Sequence, residues 1–427
     1  MSTEKIYDLI GIGVGPFNLS LAAHSSQVDK VDSLFLEQKP SFEWHRELIF
    51  QDSYMQTSFL KDLVTGSDPT NPYTFLNYLV KNGLFYSFMN TGRKSITRKE
   101  FEVYCRWVAE SLGDKIAFGN KVNNITHKNN LFVIETNKTV FTAKNICLGT
   151  GLIPSVPKCA RDFIGDEVFH AKSKQLATVN LEGKNLIVVG GGQTGVEVFR
   201  NALNEKWGRP NSIKLITTRA NLEPLEASPF TDEYFTPGYV KQFFSLKNDK
   251  KESIVNYQLL ASDGNTPEYL EELYNELYLV KNIHRDERKI EILPYRWLDK
   301  VEKGENSYQL TYRNDFRDRL ESDEADVIIL ATGFQKRTPP ILDLLEEHIP
   351  LCEKGRFIFN KDYSLKWDGE ETNKIFAFNF SRYGHGISEP QLSLMAWRSA
   401  NVINSLCEEE VYPTNSFKPN FIDYGEE

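Results

Sequence analysis

Apolar runs alternate with amphipathic stretches along the first half of the chain. IYDLIGI and VDSLFLEQK are predicted strands on either side of a helix that opens at Phe17–Ser26, and NLIVV and SIKLITTR flank a second helix. This alternation continues to about position 220 and is typical of parallel α/β architecture. Further along, YLEELYNELYLV has apolar residues at helical spacing. The pattern predicts two Rossmann-like α/β units and a small helical subdomain at about residues 231–281.

A glycine-rich turn separates the first predicted strand from its helix. The turn and the helix start comprise Gly11, Gly13, Gly15, Pro16 and Asn18. In a βαβ unit, such a turn lets the backbone approach a pyrophosphate, and the helix N-terminus offers unpaired N–H groups to its charge. Glu37 ends the second strand, where a carboxylate accepts hydrogen bonds from ribose hydroxyls. The sequence therefore predicts a dinucleotide site.

A second glycine turn follows the strand NLIVV and fits the pattern GxGxxG. This turn and its helix start comprise Gly190, Gly192, Gln193, Thr194 and Gly195. The next strand leads to Arg219 rather than to an acid, and an arginine there suits the 2′-phosphate of NADP better than the bare ribose of NAD. The alternative is a solvated arginine at a strand end. NADPH is therefore the predicted nucleotide, and use of NADH stays open.

Two dinucleotide sites in one chain predict electron transfer between two cofactors, with FAD at the first turn and the nicotinamide nucleotide at the second. The stretch ADVIILATGF at Ala325–Phe334 looks like the ATG segment by which flavoproteins with two dinucleotide domains return to the FAD domain. We therefore predict a discontinuous FAD-binding domain at residues 1–165 and 325–427. An NADPH-binding domain at residues 166–324 is inserted in it.

Charge and composition narrow the classes of partner. A net charge of -9 argues against a nucleic acid or an anionic membrane, because both usually require a basic surface. No apolar run approaches the roughly 20 residues of a membrane span, and the first one is too short for a signal peptide, so we expect a cytoplasmic protein. The five scattered cysteines exclude a CxxC redox pair and a cysteine zinc cluster. No metal site is predicted.

Six segments together resemble the N-hydroxylating monooxygenases of siderophore biosynthesis. They are WHRELIFQDSYMQTSFLKDLVTGSDPTNPYTFLNYL (Trp44–Leu79), ITRKEFEVYCRW (Ile96–Trp107), NICLGTG, VVGGGQTG, DEYFTP (Asp232–Pro237) and HGISEPQLSLMAWRSA (His385–Ala400). This family contains lysine N6-, ornithine N5- and diamine N-hydroxylases, and the chain is most similar to the lysine and diamine branch. The linker FIGDEVFH has one residue too many for the FxGxxxH pattern of Baeyer–Villiger and general flavin monooxygenases.

The resemblance implies a reaction in which the flavin carries the chemistry. NADPH reduces FAD, O2 adds to the reduced flavin at C4a, and the hydroperoxide gives its distal oxygen to an amine. No catalytic side chain or metal is required, and family members are often tetramers, so a homo-oligomer is expected. The matched positions imply that Trp44, His45 and Gln56 line the flavin. They also imply that Lys61 meets a substrate carboxylate and that Ser393 faces the substrate.

The resemblance leaves the identity of the amine open. Asp232 stands where the ornithine branch has asparagine, and an acid disfavours a nearby carboxylate but favours an ammonium group. We therefore predict a small diamine, putrescine or cadaverine, with L-lysine as the close alternative and L-ornithine next. Asp232 could instead pair with Lys61 or cap a helix, and Ser393 could bond its own helix backbone. A flavin reductase or oxidase without an amine substrate is the more distant alternative.

Overall fold

A computed structural model gives the structure of residues 5–335, 337–370, 372–416 and 421–425. Its strands are β1 (Ile6–Ile12), β2 (Ser33–Glu37), β3 (Ile116–Phe118), β4 (Val122–Lys128), β5 (Leu131–Thr136), β6 (Val140–Leu148), β7 (Ile153–Pro154), β8 (Val168–His170), β9 (Asn185–Val189), β10 (Ser212–Ile216), β11 (Lys289–Leu293), β12 (Arg296–Lys303), β13 (Tyr308–Asn314), β14 (Arg319–Ala325), β15 (Val327–Leu330), β16 (Phe334–Gln335) and β17 (Ile375–Ala377). Its α-helices are α1 (Pro16–Ser25), α2 (Phe75–Lys81), α3 (Phe85–Met89), α4 (Arg98–Ser111), α5 (Gln175–Thr178), α6 (Gln193–Leu203), α7 (Pro237–Ser245), α8 (Asn248–Tyr257), α9 (Leu260–Asp263), α10 (Pro267–Tyr278), α11 (Arg382–His385) and α12 (Met395–Cys407). No helix within these residues is both long enough and apolar enough to cross a bilayer.

The first sheet has the strand order β3-β2-β1-β6-β5-β4, and β17 also pairs with β6. β1 runs parallel to β2 and β6, with Ile10 opposite Leu34 and Ile146. Successive residues of β1 point to opposite faces, and both faces are buried, as in parallel sheets covered on two sides. Leu9 packs with α1, α4 and α12, whereas Ile10 packs with the 3-10 helix Pro340–His348. The first glycine turn therefore lies at the carboxyl edge of a fully covered sheet.

The second sheet has the strand order β11-β10-β9-β15-β8, and every pairing in it is parallel. On one face, α6 and α10 contribute Val196, Phe199 and Leu273 to the core. On the other face, the antiparallel sheet β12-β13-β14 contributes Val301 and Leu310. Two parallel sheets, each with a glycine turn after one strand, agree with the predicted pair of Rossmann-like units.

Strand β15 corrects one predicted boundary. It pairs with β9 and β8 and so lies inside the second sheet. The prediction that the first unit resumes at residue 325 is wrong, because the apolar run VIIL fits a central strand of either sheet and its pairing partners are distant in sequence. The chain leaves the second sheet only after Leu330, and β16 then pairs antiparallel with β7.

The segment predicted as a helical subdomain is helical but divided between two cores. It contains the 3-10 turn Thr231–Phe235, the helices α7 to α10 and the π-helical turn Leu279–Ile283. α7 and α8 pack Phe243 and Val255 against Ile387 of the C-terminal part, whereas α10 packs on the core of the second sheet. The segment therefore connects the two sheets instead of standing apart from them.

Close backbone packing determines the two glycine turns. Gly13 has φ +83°, and a Cβ there would lie 2.7 Å from a backbone carbonyl oxygen. Gly190 has φ +125°, and its Cβ would lie 2.2 Å from another carbonyl oxygen. A side chain at either position is strained and collides with backbone. A Cβ at Gly15 or Gly192 would meet no heavy atom within 4 Å, so these two glycines face open space where α1 and α6 begin.

These two kinds of glycine predict different responses to alanine. Gly13→Ala is expected to destabilise the cofactor-free protein by about 1–3 kcal/mol, because it adds backbone strain and a collision. Gly15→Ala is expected to leave the Tm of the cofactor-free protein unchanged and to weaken FAD binding, because its methyl group enters the space that a pyrophosphate needs. Thermal unfolding without FAD and a fluorescence titration with FAD measure the two effects. Equal Tm values for both variants would contradict this assignment.

Candidate active site

The first glycine turn is joined to Glu37 at the end of β2. The Glu37 carboxylate accepts a hydrogen bond from the Val14 backbone N–H at 2.8 Å and another from the Lys39 N–H at 2.9 Å. A carboxylate has about four acceptor positions, so two remain for other donors. The acid, the helix start and the open space at Gly15 thus lie together as a dinucleotide site requires.

Asn18 has a different role from the one that the sequence predicts. Its side chain is fully buried, and its amide donates to the carbonyl oxygen of Gly13 at 2.8 Å and to that of Cys147 at 3.3 Å. A Cβ at Gly149 would lie 2.4 Å from the same amide nitrogen. The Asn18 side chain therefore holds the turn against the end of β6, and the structure gives no support for a contact between this side chain and FAD.

Trp44 and His45 form an aromatic wall beside the first sheet. The Trp44 ring lies 5.1 Å from the rings of both His45 and Phe101, measured between centroids. His45 adopts a left-handed backbone conformation with φ 45°, and its buried Nδ1 has no hydrogen-bond partner among the described residues. Burial, with Lys172 and Arg98 nearby, lowers the pKa of His45 to about 3. The imidazole is therefore neutral at pH 7, with one ring nitrogen unsatisfied.

At the second turn, Gln193 is occupied by protein partners. Its Nε2 donates to Glu197 at 2.8 Å, and its Oε1 accepts from the backbone N–H of Thr266 at 2.8 Å. A nucleotide contact through the Gln193 side chain is therefore not supported. Gly192 and Thr194 remain partly exposed at the start of α6, where the helix offers its N–H groups.

Arg219 is held at the edge of the second sheet. Its Nη2 donates to the carbonyl oxygen of Asp263 at 3.0 Å, and its Nε lies 3.7 Å from a carboxylate oxygen of Glu223. Its Nη1 is buried without a partner among the described residues. Arg219 is therefore partly buried and held by protein partners rather than fully solvated. The guanidinium is oriented by the protein and has one unsatisfied donor, which suits a phosphate.

A narrow cleft, with a cavity volume of about 10 Å³, lies against α4 and the loop before α2. Lys61 lines it, next to Asp62. The Asp62 carboxylate accepts hydrogen bonds from the backbone N–H groups of Val64, Thr65 and Phe75 and from the Thr65 hydroxyl, at 2.6–2.9 Å. Lys61 makes no ion pair within the part of the chain that the structure describes. Asp62 also lines the cleft, and the other lining residues are Met55, Thr57, Ser58, Phe59, Phe75, Ile96, Phe101, Tyr104 and Leu392.

Three other residues that the sequence predicts to contact the substrate or the flavin, Asp232, Ser393 and Gln56, do not line this cleft. Asp232 is exposed on the 3-10 turn and is not among the lining residues of the cleft, so it does not pair with Lys61. Ser393 is half-buried beside Leu392, and its Oγ has no partner among the described residues, so it does not bond its own helix. Gln56 is exposed, and its Nε2 lies 3.3 Å from the Thr266 hydroxyl.

Two groups of residues that the sequence analysis missed organise this region. Arg398 is 1% exposed, and its guanidinium donates to the carbonyl oxygens of Glu389 and Gln391 and lies 4.4 Å from the centroid of the Phe17 ring. It therefore holds the HGISEPQLSL segment over the first turn of α1. The arginine lies within a motif that the sequence analysis singled out, but its partners could be identified only from the fold.

The second missed group is the segment of residues 262–266, which joins the cleft region to the second turn. The carboxylate of Asp263 binds both terminal nitrogens of Arg382, at 2.9 and 3.0 Å. The amide nitrogen of Asn265 donates to the carbonyl oxygen of Gly191 at 3.0 Å, and Gln391 donates to the backbone at residue 262 at 3.1 Å. This segment therefore fixes the C-terminal motif against the second glycine turn.

Comparison with known proteins identifies a family that covers most of the chain. The family model described as L-lysine 6-monooxygenase/L-ornithine 5-monooxygenase matches residues 5–336. The L-lysine N6-monooxygenase of Escherichia coli is 41% identical over 96% of each chain, and the putrescine N-hydroxylase of Acinetobacter baumannii is 32% identical over 97% of this chain and 92% of its own. The FAD-bound cadaverine monooxygenase of the desferrioxamine pathway of Erwinia amylovora has a TM-score of 0.92 and 27% identity, covering 99% of each chain.

These similarities confirm the predicted fold class and enzyme class, and they confirm the two predicted cofactors, FAD and NADPH, since an ornithine N-hydroxylase with the same fold is solved with reduced FAD and NADP+. They extend over nearly the whole chain, and one relative exceeds 40% identity. The chain belongs to the L-lysine 6-monooxygenase/L-ornithine 5-monooxygenase family and is a flavin-dependent N-hydroxylating monooxygenase.

Proposed function

We propose that the protein N-hydroxylates the terminal amine of L-lysine in siderophore biosynthesis, using FAD, NADPH and O2. The observation that carries this proposal is Lys61, a cation in the wall of the cleft without an ion pair among the described residues. Its neighbour Asp62 does not neutralise it, because backbone N–H groups occupy that carboxylate. A substrate carboxylate is the natural partner of such a lysine. The relative that is 41% identical is a lysine N6-monooxygenase, which supports the same amine.

The geometry also weakens the argument for a diamine. That prediction depended on Asp232, which is exposed and is not part of the cleft wall. A diamine would leave Lys61 without an anion and would bring a second ammonium group toward it. We therefore rank L-lysine above putrescine and cadaverine. The diamines remain the second candidate, because the cadaverine monooxygenase shares the fold at a TM-score of 0.92 and a putrescine N-hydroxylase is 32% identical.

The residues at both turns fit the two cofactors. Gly15 and Gly192 leave open space at two helix N-termini, Glu37 has acceptor positions left for ribose, and Arg219 has a donor left for a 2′-phosphate. When bound, FAD reduced by NADPH would activate O2, so that one oxygen atom of O2 goes to the amine and the other leaves as water. We propose that the FAD part is built on the first sheet and the NADPH part on the second.

The cleft can prepare the amine for reaction. Its wall includes Phe59, Phe101 and Tyr104, and an apolar wall disfavours the ammonium form. An alkylamine in water has a pKa near 10.4, so holding it neutral at pH 7 costs roughly 4–5 kcal/mol. Binding of the carboxylate end by Lys61 offsets part of this cost and directs the other end of the substrate inward.

We also propose that the protein is a homotetramer and that it is located in the cytoplasm. Light scattering tests the first of these proposals, and cell fractionation tests the second.

A hydroxylamine assay on the FAD-loaded enzyme tests the substrate. With NADPH and O2, L-lysine is expected to give hydroxylamine product in a nearly one-to-one ratio to NADPH consumed, with less product from L-ornithine, putrescine and cadaverine. The physical reason is that L-lysine alone combines a carboxylate for Lys61 with the longer amino-acid side chain. Product from cadaverine or putrescine in excess of that from L-lysine would reverse the ranking. Hydrogen peroxide without product from all four amines would contradict the proposed substrate class.

Replacement of Lys61 tests the carboxylate contact. Lys61→Ala is expected to raise KM for L-lysine tenfold to a hundredfold, since a charge-assisted hydrogen bond is worth about 1.5–3 kcal/mol. The KM for cadaverine is expected to change less than threefold. Steady-state kinetics measure both, with Lys94→Ala as a control because Lys94 is an exposed lysine close to the same loop. Equal losses with both substrates would assign Lys61 a structural role.

A further inference from the structure

Helix α6 carries an acid that is buried against the part of the chain built on the first sheet. The carboxylate of Glu197, which is 1% exposed, binds both terminal nitrogens of Arg98 at 2.9 and 3.0 Å. Arg98 begins α4, which packs on the first sheet, and it also donates to the carbonyl oxygen of Leu48 at 3.1 Å. Leu48 and Phe50 in turn insert into the core of the second sheet. The two parts are thus joined by an apolar contact and a desolvated, bidentate ion pair.

One turn further along α6, Arg200 makes a second attachment. Its guanidinium lies 3.1 Å from Asp52 in the loop of residues 46–53, 2.8 Å from Glu272 and 2.6 Å from Glu276. Asp52 lies in the stretch of chain between β2 and β3 of the first sheet, whereas the two glutamates lie on α10. The same helix face is therefore bound to the loop on one side and to the helical segment on the other.

The Glu197 carboxylate also reaches the nucleotide turn itself. Gln193, in the first turn of α6, donates to it at 2.8 Å and accepts from Thr266 at 2.8 Å. The Glu197 carboxylate thus links Gln193, which follows Gly192 in the turn, to Arg98. Arg98 is held in turn beside the Trp44–His45 wall by Leu48 and by the backbone of the same loop.

We propose that these residues form an interdomain latch, consisting of Arg98 and Asp52 on one side and Glu197 and Arg200 on the other, that positions the nicotinamide turn for hydride transfer to the flavin. Two attachments three residues apart on one helix oppose rotation of α6. Hydride transfer depends steeply on the distance and orientation of the two reacting groups. A buried ion pair contributes little net stability, so we assign this one to the orientation that its bidentate geometry enforces. All four are positioning residues, and the inference rests on the proposed placement of FAD and NADPH.

Anaerobic flavin reduction tests the latch without any amine substrate. Glu197→Gln is expected to lower the limiting rate of flavin reduction by NADPH at least tenfold at full FAD occupancy, in stopped-flow absorbance measurements. Arg209→Gln is the matched control, because its ion pair with Glu205 is exposed at the surface of the same unit. A limiting rate within twofold of the wild type for Glu197→Gln, with FAD bound, would overturn the latch. A failed amine assay would not affect this result.

A double variant separates positioning from stability. Arg98→Gln/Glu197→Gln removes both charges, so no unpaired charge is left buried, and its Tm is expected to recover toward the wild type. The limiting rate of flavin reduction is expected to stay low, because the bidentate contact is still missing. Recovery of the rate together with the Tm would assign the pair a purely structural role.

Hydrogen–deuterium exchange on the cofactor-free protein gives a readout that is independent of catalysis. Glu197→Gln is expected to increase exchange at the start of α4 and α6 at least fivefold, while the Arg209→Gln control does not change it. Unchanged exchange in Glu197→Gln at those two helix starts would overturn the proposed attachment.

Discussion

The structure depends on a steric constraint at the ends of two β-strands. After β1 and after β9, the chain turns so close to a neighbouring strand that any side chain at Gly13 or Gly190 would collide with a backbone carbonyl group. This closeness brings the starts of α1 and α6 to the edges of the two sheets and leaves Gly15 and Gly192 facing open space. The two proposed dinucleotide sites depend on this close backbone packing and on the absence of side chains at Gly15 and Gly192.

A second constraint is the distribution of charge around the cleft. Asp62 lies beside Lys61 and would neutralise it in an open loop, yet its oxygens are occupied by the N–H groups that begin the next turn and α2. The lysine therefore keeps its charge available to a ligand. Because a cation beside an apolar wall favours a molecule with an anion at one end and a hydrophobic stem, this local hydrogen bonding influences which substrate fits.

The sequence predicted those features that depend on local pattern. Alternating apolar runs and glycines at the turns define each βαβ unit within about forty residues, and the strand-end residue is Glu37 in the first unit and Arg219 in the second. Features that depend on partners far along the chain were predicted less well. β15 has the composition of a central strand in either sheet, Asn18 was interpreted as a ligand contact, and Gln193 is occupied by Thr266, 73 residues away. Asp232 failed as a guide to the substrate because only the fold shows that it is exposed and outside the cleft wall.

The long-range contacts that sequence reasoning missed are also the ones that connect the two halves. Arg98, Glu197 and Arg200 lie on helices whose amphipathic pattern predicts only that one face is buried. Burying opposite charges at that face costs desolvation, which the bidentate geometry and the contact with Gln193 offset. An apolar interface of the same size would tolerate sliding, whereas paired charges in a low-dielectric interior accept one geometry. An enzyme that must bring two cofactors together in one orientation benefits from the second kind of interface, which is the role that we propose for α6 behind the second glycine turn.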